Sequence, residues 1–445
     1  MSTAAVRFPV PAGLWSGPLA APSVGMVVLI AILAFEQLAV ATVMPGVAAA
    51  LDGPALYAAA FGAAVAAAIV GMVAAGRWSD RSGPGAPLAA GLALFVAGLL
   101  AAGLAASMPW LVAGRVLQGA GGGMTSVALY VVAGRHYPPA LHARLFAAFA
   151  AAWVLPAIVG PALAGWVAQQ WGWRWVFLAA ALGVLPAALL LQRGLAALPA
   201  SAPKPAADAP TSLLVAAAVA LGAGLLHGGG WALPLVGVGL LALAAPRLLP
   251  AGSLRARPGL PAVVALRGLL AAAFLAAEVV IPLALQRWRG FTPVQAGLVL
   301  TVGALGWSFG SCCQSRMAEG TELRRLRLGL SQLALGIVLM AAALWPAVPM
   351  ALSVAGWIVA GTGIGLAFPT LSVLVLRLAA PERQGAAASA LKLCDAMVSA
   401  LALAGVGAVL ATWPAEVARG GLVAAFALAA LLALAGAWVA GRAKP

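Results

Sequence analysis

The run Met26-Val-Val-Leu-Ile-Ala-Ile-Leu-Ala-Phe-Glu36-Gln-Leu-Ala-Val-Ala-Thr42-Val-Met-Pro45 carries a single charge in twenty residues. A helix of about 20 apolar residues covers the ~30 Å of a bilayer's hydrocarbon, so this stretch reads as a membrane span with an acid near its middle. Similar runs recur along all 445 residues, of which 64% are hydrophobic and 8% charged. The mean hydropathy is +1.07. A soluble chain has roughly 25% charged residues, so lipid is the solvent for most of this surface. Backbone groups in lipid must satisfy one another, which leaves helices or a closed barrel. Barrel strands alternate polar and apolar residues, whereas these runs are Ala, Leu, Val and Gly throughout. The chain is therefore an all-α polytopic membrane protein.

Outward from that run, spans are expected near 24–50, 55–76, 86–106, 109–134, 143–169 and 173–192, then near 262–286, 294–315, 326–345, 348–378, 384–412 and 419–441. Between the two sets lies a Pro/Ala-rich linker with two shorter apolar runs, 212–227 and 231–249. Fourteen spans result if both short runs cross and twelve if neither does, and fourteen is the expectation. The expected division is a tail over 1–23, a six-helix bundle over 24–192, a linker over 193–261 with two short helices, and a second six-helix bundle over 262–441. The tail has one Arg and no cleavable-signal pattern, so the first span is expected to serve as its own insertion signal.

The net charge of +15 is spread between apolar segments, which speaks for a topology signal and against nucleic-acid binding. Of the 25 basic residues, 18 fall on the side of the N-terminus, only Arg174, Arg287, Arg289 and Arg419 on the other, and Arg115, Arg267 and Lys392 within spans. That bias places both termini in the cytoplasm of a cell whose inner membrane holds the chain. Cys312, Cys313 and Cys394 lie in apolar segments with no His or carboxylate at ligand spacing, so free thiols are expected, with no metal site and no cofactor.

Charges within spans are informative because each costs roughly 2.5–3.5 kcal/mol at the bilayer centre on insertion scales. The acids are Glu36, Glu278 and Asp395, and all six charges should face the bundle interior or a wet cavity. A carboxylate at the place of Glu36 can bind and release a proton during a transport cycle; a purely structural pair with a buried Arg is the alternative. Arg115, Gln118, Gly119 and Gly122 share one helical stripe, where the glycines admit a neighbouring backbone and Arg115 can reach that neighbour's acid. Lys392 and Asp395, three apart, can pair with each other. Glu278 has no opposite charge one turn away, and Arg267 is ~16 Å distant along the same helix. Gln37, Gln118, Trp153, Glu278, Trp307, Trp357 and Asp395 are the candidate lining of a substrate cavity, the tryptophans because aromatic faces suit flat or cationic compounds. Ordinary packing explains each tryptophan equally well.

Four stretches bear a resemblance. Gly76-Arg-Trp-Ser-Asp80-Arg81-Ser-Gly83 resembles the first cytoplasmic-loop motif of the major facilitator superfamily, although Pro84 and Gly85 stand where that family usually has basic residues. Leu111-Val-Ala-Gly-Arg115-Val-Leu-Gln118-Gly119 resembles its fourth-helix motif, associated with proton transfer. Pro156 and Gly160-Pro161-Ala-Leu-Ala-Gly165 resemble its fifth-helix antiporter motif. Glu36, nine residues before Pro45, is similar to the first-helix acid of the fourteen-helix drug:proton antiporters, and Trp173-Arg-Trp-Val-Phe177 to the opening of their sixth helix. The match is strong over 24–192 and rests on segment pattern over 260–441.

The resemblance implies two six-helix bundles, with Glu36 and Arg115 in proton coupling and Gly76, Asp80, Arg81 and Gly83 as a cytoplasmic gate; a monomer is expected. It implies proton-coupled export of small lipophilic or cationic compounds by alternating access. A nutrient importer or facilitator on the same fold is the alternative, for which polar side chains in the spans are sparse. A membrane enzyme is disfavoured, since all three His residues lie in loops and no GxxxxGK[ST] or HExxH pattern occurs.

Overall fold

A computed structural model describes residues 13–196 and 236–443, apart from 238, 241, 242, 245, 248, 319, 380–383 and 412–418. Among these, twelve helices are long and apolar enough to cross a membrane. The first six are α1 (Ala20–Ala50), α2 (Tyr57–Ser82), α3 (Gly85–Gly103), α4 (Met108–His136), α5 (Pro139–Gln170) and α6 (Arg174–Ala196). The second six are α7 (Leu260–Trp288), α8 (Pro293–Arg316), α9 (Glu322–Ala341), α10 (Met350–Leu378), α11 (Gln384–Ala411) and α12 (Arg419–Val439). The central run 212–227 lies outside the described residues, as does much of 231–249, whose described positions from 236 to 247 are helical.

Helix starts follow local chemistry. Proline opens α5 and α8, where a missing N–H costs nothing. At α8 the Thr292 hydroxyl accepts from the Gln295 N–H at 3.3 Å while the Thr292 N–H donates to Gln295 Oε1 at 2.9 Å, a reciprocal cap that satisfies two end groups.

Packing repeats with a shift of six helices. In the first half α1 lies on α5 and α6, α4 on α2 and α3, and α3 on α6. In the second, α7 lies on α11 and α12, α10 on α8 and α9, and α9 on α12. The halves meet through α5 on α8 and α2 on α11, two contacts that exchange under the same shift. The result is a pair of six-helix bundles related by a pseudo-two-fold axis.

The most enclosed segment is α7, with 83% of its core window buried against 39–61% for the others. The outermost faces belong to α6 and α12. Leu182, Leu185 and Leu189 on α6, and Leu431, Leu434 and Trp438 on α12, are each more than half exposed at i, i+3, i+7 spacing. Water would make such stripes aggregation sites, whereas in a bilayer they meet acyl chains.

Side chains cannot fit where α4 crosses α2. A Cβ at Gly119 would stand 2.0 Å from the Ala64 carbonyl oxygen. At Gly122, on the same stripe, the nearest atom would be Leu33 Cδ2 at 3.6 Å, an ordinary contact. Gly119→Ala is therefore expected to destabilise by about 1–3 kcal/mol through overpacking against backbone. Gly122→Ala should be neutral or slightly stabilising, by the better helix propensity of alanine. Thermal unfolding of the two purified variants, followed by loss of monodisperse protein, reads the difference.

Candidate functional site

The ends of the two bundles differ. Contacts between halves concentrate at the end remote from the N-terminus. There the Tyr57 hydroxyl of α2 donates to the Val279 carbonyl of α7 at 2.7 Å, and Gln286 Nε2 of α7 donates to the Thr42 carbonyl of α1 at 2.9 Å. A Cβ at Gly297 of α8 would lie 2.3 Å from the Pro161 carbonyl oxygen of α5, and one at Gly165 would lie 2.7 Å from Pro293. The small residues of the Gly160–Gly165 stretch thus form the seam between halves. Gly160 itself faces the Phe35 ring at 3.2 Å, and Pro156 and Pro161 both lie inside α5. Toward the other end Tyr130 of α4 and Lys392 of α11 are exposed, so the side of the N-terminus is the less closed end of the interface between the bundles.

Two ionic networks lie within the spans. In the first half Glu36 of α1 pairs with Arg115 of α4 through Oε1 and Nη1. The same nitrogen donates to Gln118 Oε1 at 2.8 Å, and Arg115 Nε donates to the Ala60 carbonyl of α2 at 3.1 Å. Glu36, Arg115 and Gln118 are all buried. The stripe spacing that places Arg115 one turn before Gln118 makes this cluster, and Gly119 brings α2 close enough to supply its carbonyl. Gln118 Nε2 and the Thr42 hydroxyl are buried without a partner among the described residues. Gln37 is exposed.

The second network departs from expectation. Asp395 does not take Lys392 as its partner. Arg267 of α7 binds it instead, with Nε donating to both carboxylate oxygens at 2.9 and 3.0 Å. Arg267 Nη1 also donates to the Ser372 hydroxyl and the Phe368 carbonyl of α10 at 3.1 and 3.3 Å, and its guanidinium carbon sits 3.1 Å from the Phe368 ring centroid. The physical reason is planar geometry: a guanidinium that bridges three helices satisfies more donors than an ammonium one turn away. Sequence alone left Arg267 without a mate. The clue it offered was that a buried Arg requires an acid, and Asp395 was available on another span.

Glu278 is buried and makes no hydrogen bond or ion pair among the described residues. One turn before it on α7, Phe274 belongs to an aromatic group. Trp307 of α8 lies edge-on to Phe274 and to Phe368, with centroids 5.3 Å apart in each case. Trp357 was expected on the cavity wall but is 1% exposed. Its ring is stacked on Phe274 at 5.0 Å and roofed by α8 at Gly303, so it backs the wall and does not face an opening. Trp153 is 40% exposed. At the gate stretch Gly83 has φ +81° and caps α2 by donating to the Ser79 carbonyl at 2.9 Å, while Arg81 is exposed and Gly76 has open space around it. The Asp80 side chain lies outside the described residues.

A sequence profile of the Major Facilitator Superfamily matches residues 26–403. The chain belongs to the major facilitator superfamily. Along 428 aligned residues it is 29% identical to a probable multidrug-efflux transporter of Mycobacterium tuberculosis, covering 89% of this chain and 88% of that one. A shorter stretch, 122 residues at 31% identity, matches the multidrug transporter protein MdtP of Bacillus subtilis, over 27% of this chain and 22% of that one. Among solved structures, a POT family transporter in complex with 5-aminolevulinic acid superposes with a TM-score of 0.71 over 98% of this chain and 99% of that one, at 14% identity. The xylose transporter XylE of E. coli, in a partially occluded inward-open form, gives 0.63 over 96% and 99%, at 13%. These likenesses establish the fold; this major facilitator protein is a multi-pass membrane transporter by family.

The Arg267–Asp395 bridge carries a prediction. Removing one partner of a buried pair leaves the other charge uncompensated, at a cost of about 3–5 kcal/mol. Asp395→Leu and Arg267→Leu should each lower thermal stability sharply, and the double variant should recover part of the loss. A double-mutant cycle on purified protein checks this, and additive losses would mean that the two side chains are not coupled.

Proposed function

We propose that this chain is a proton-coupled secondary transporter that exports small lipophilic or cationic compounds by alternating access. The observation that carries the reading is the buried Glu36–Arg115–Gln118 cluster between α1 and α4. Neutralising Glu36 with a proton releases Arg115 from its ion pair, yet the guanidinium keeps two other acceptors, the Ala60 carbonyl and Gln118 Oε1. The cluster can therefore exist charged or protonated without stranding the arginine, as a cyclic proton carrier requires. The relatives named as multidrug-efflux transporters favour export over uptake.

In this reading both termini are cytoplasmic, in the inner membrane, and the cleft of the present conformation opens inward. Residues 24–192 and 262–441 act as the two rocking bundles, joined by 193–261. Gly76, Asp80, Arg81 and Gly83, at the open end, form the latch that closes when the cleft turns outward. The Gly160–Gly165 seam with α8 opens at that step. Substrate meets the wall that Trp307 and Phe368 share, and Glu278 is the acid suited to touch a cation. No cofactor takes part, protons and substrate being the only small partners, and a monomer suffices.

The test uses everted vesicles with an inside-acid gradient and a panel of lipophilic cations, zwitterions and neutral antibiotics. A transported compound should drive proton efflux with the native chain, and Glu36→Gln should reduce that flux at least about tenfold, the scale of losing one proton-transfer group. Accumulation of a compound without proton movement, or native behaviour of Glu36→Gln, would refute the mechanism.

A further inference from the structure

Six charges lie within the spans, and two ion pairs account for four of them, Glu36 with Arg115 and Asp395 with Arg267. Glu278 is buried. Lys392 alone is accessible and makes no hydrogen bond or ion pair among the described residues. It is exposed on α11, the helix that packs on α2 of the other half, which sets it beside the interface between the bundles. Its position agrees. Lys392 is eight residues into α11, or ~12 Å from the open end of the helix, and shares a face with Asp395 one turn on.

The surrounding chemistry is polar on one side and aromatic on the other. Asp395 is engaged through both oxygens by Arg267, so the local sum of Arg267, Asp395 and Lys392 is one positive charge. Phe368 touches Arg267 with its face and meets Trp307 in a tilted, edge-type contact. Tyr130 of α4, 47% exposed, approaches from the opposite half within electrostatic reach of Arg267. An unpaired cation one turn from Asp395, whose partner Arg267 lies against the Phe368 ring, is complementary to a molecule with an anionic end and a flat apolar body.

We propose that Lys392 is an anion subsite, and that the substrates are amphiphiles bearing a carboxylate or comparable single negative charge, alone or within a zwitterion, with the apolar part against Trp307 and Phe368. The proposal rests on the transporter reading above and, of the two substrate classes named there, takes the lipophilic one and sets it against the purely cationic one. It also explains why an unpaired lysine persists in a span, where a cation without purpose costs roughly 2.5–3.5 kcal/mol on insertion scales.

The experiment is equilibrium binding to the purified full chain, read by intrinsic tryptophan fluorescence and by ligand-induced thermal shift. The probes are naphthylacetate, its neutral amide and the matching naphthylethylamine. The native chain should bind the carboxylate about ten- to a hundredfold more tightly than the amide, the range of one charge-assisted hydrogen bond. Lys392→Gln should abolish that preference and leave amide affinity unchanged, and Lys392→Arg should keep most of it. Unliganded melting of each variant shows that it is folded. A carboxylate preference that survives Lys392→Gln overturns the proposal, as does a preference for the amine or no binding of the carboxylate by the native chain. Because no gradient is imposed, this outcome is independent of whether transport is coupled to protons through Glu36.

Discussion

Hydrocarbon offers a guanidinium nothing to donate to, so Arg115 and Arg267 cross the bilayer only because other helices bring acceptors to them. Each arginine spans three helices. Arg115 ties α4 to the acid of α1 and a carbonyl of α2, and Arg267 ties α7 to the acid of α11 and to α10. In each half one of the bridged pairs is a close helix packing, α4 on α2 and α7 on α11. Satisfying the charge and holding the bundle together are one requirement, because moving any of the three helices away would leave a donor unpaired in a medium without water.

Close approach of backbones is what makes those bridges short enough. Arg115 can reach Ala60 only if α2 and α4 are nearly in van der Waals contact, and Gly119 against Ala64 provides that contact. The seam is repeated six helices later, where a Cβ at Gly361 of α10 would meet the Gly303 carbonyl of α8 at 2.0 Å. Repetition of a packing device, more than repetition of a charge, is the trace of the duplicated architecture. The charged networks do not repeat in the same way, since the first half joins α1 to α4 and the second joins α7 to α11.

What could be read from the chain follows from the range of each interaction. Span positions depend on runs of about 20 residues, and the twelve described helices lie where the apolar runs put them. The Glu36–Arg115–Gln118 cluster was legible because two of its members sit one turn apart and only one acid occupies the neighbouring span. The partner of Asp395 was not, because a local lysine at i−3 offered an equally plausible mate and Arg267 is 128 residues away. Trp357 shows the same limit: a tryptophan in a span can line a cavity or back it, and only the position of Phe274 and α8 decides. The stretch from Gly76 to Gly83 was legible as a glycine-bounded turn, which Gly83 caps, and the Asp80 side chain lies outside the described residues.

The two halves of the cleft therefore carry different chemistry on a symmetric frame. One wall keeps its acid and base in a closed pair whose protonation can change without unsatisfied donors. The other has Asp395 held by Arg267, which leaves Lys392 without an ion-pair partner among the described residues. A carrier that moved protons and substrate through one shared carboxylate would need no such division. In the proposed mechanism, separation of the two roles would let a proton act on the pair between α1 and α4 while the substrate acts on α10 and α11. Because α1 touches α7 and α2 touches α11, each event alters the same interface between bundles. Coupling then requires no direct contact between proton and substrate, only that both bias the seam on which alternating access turns.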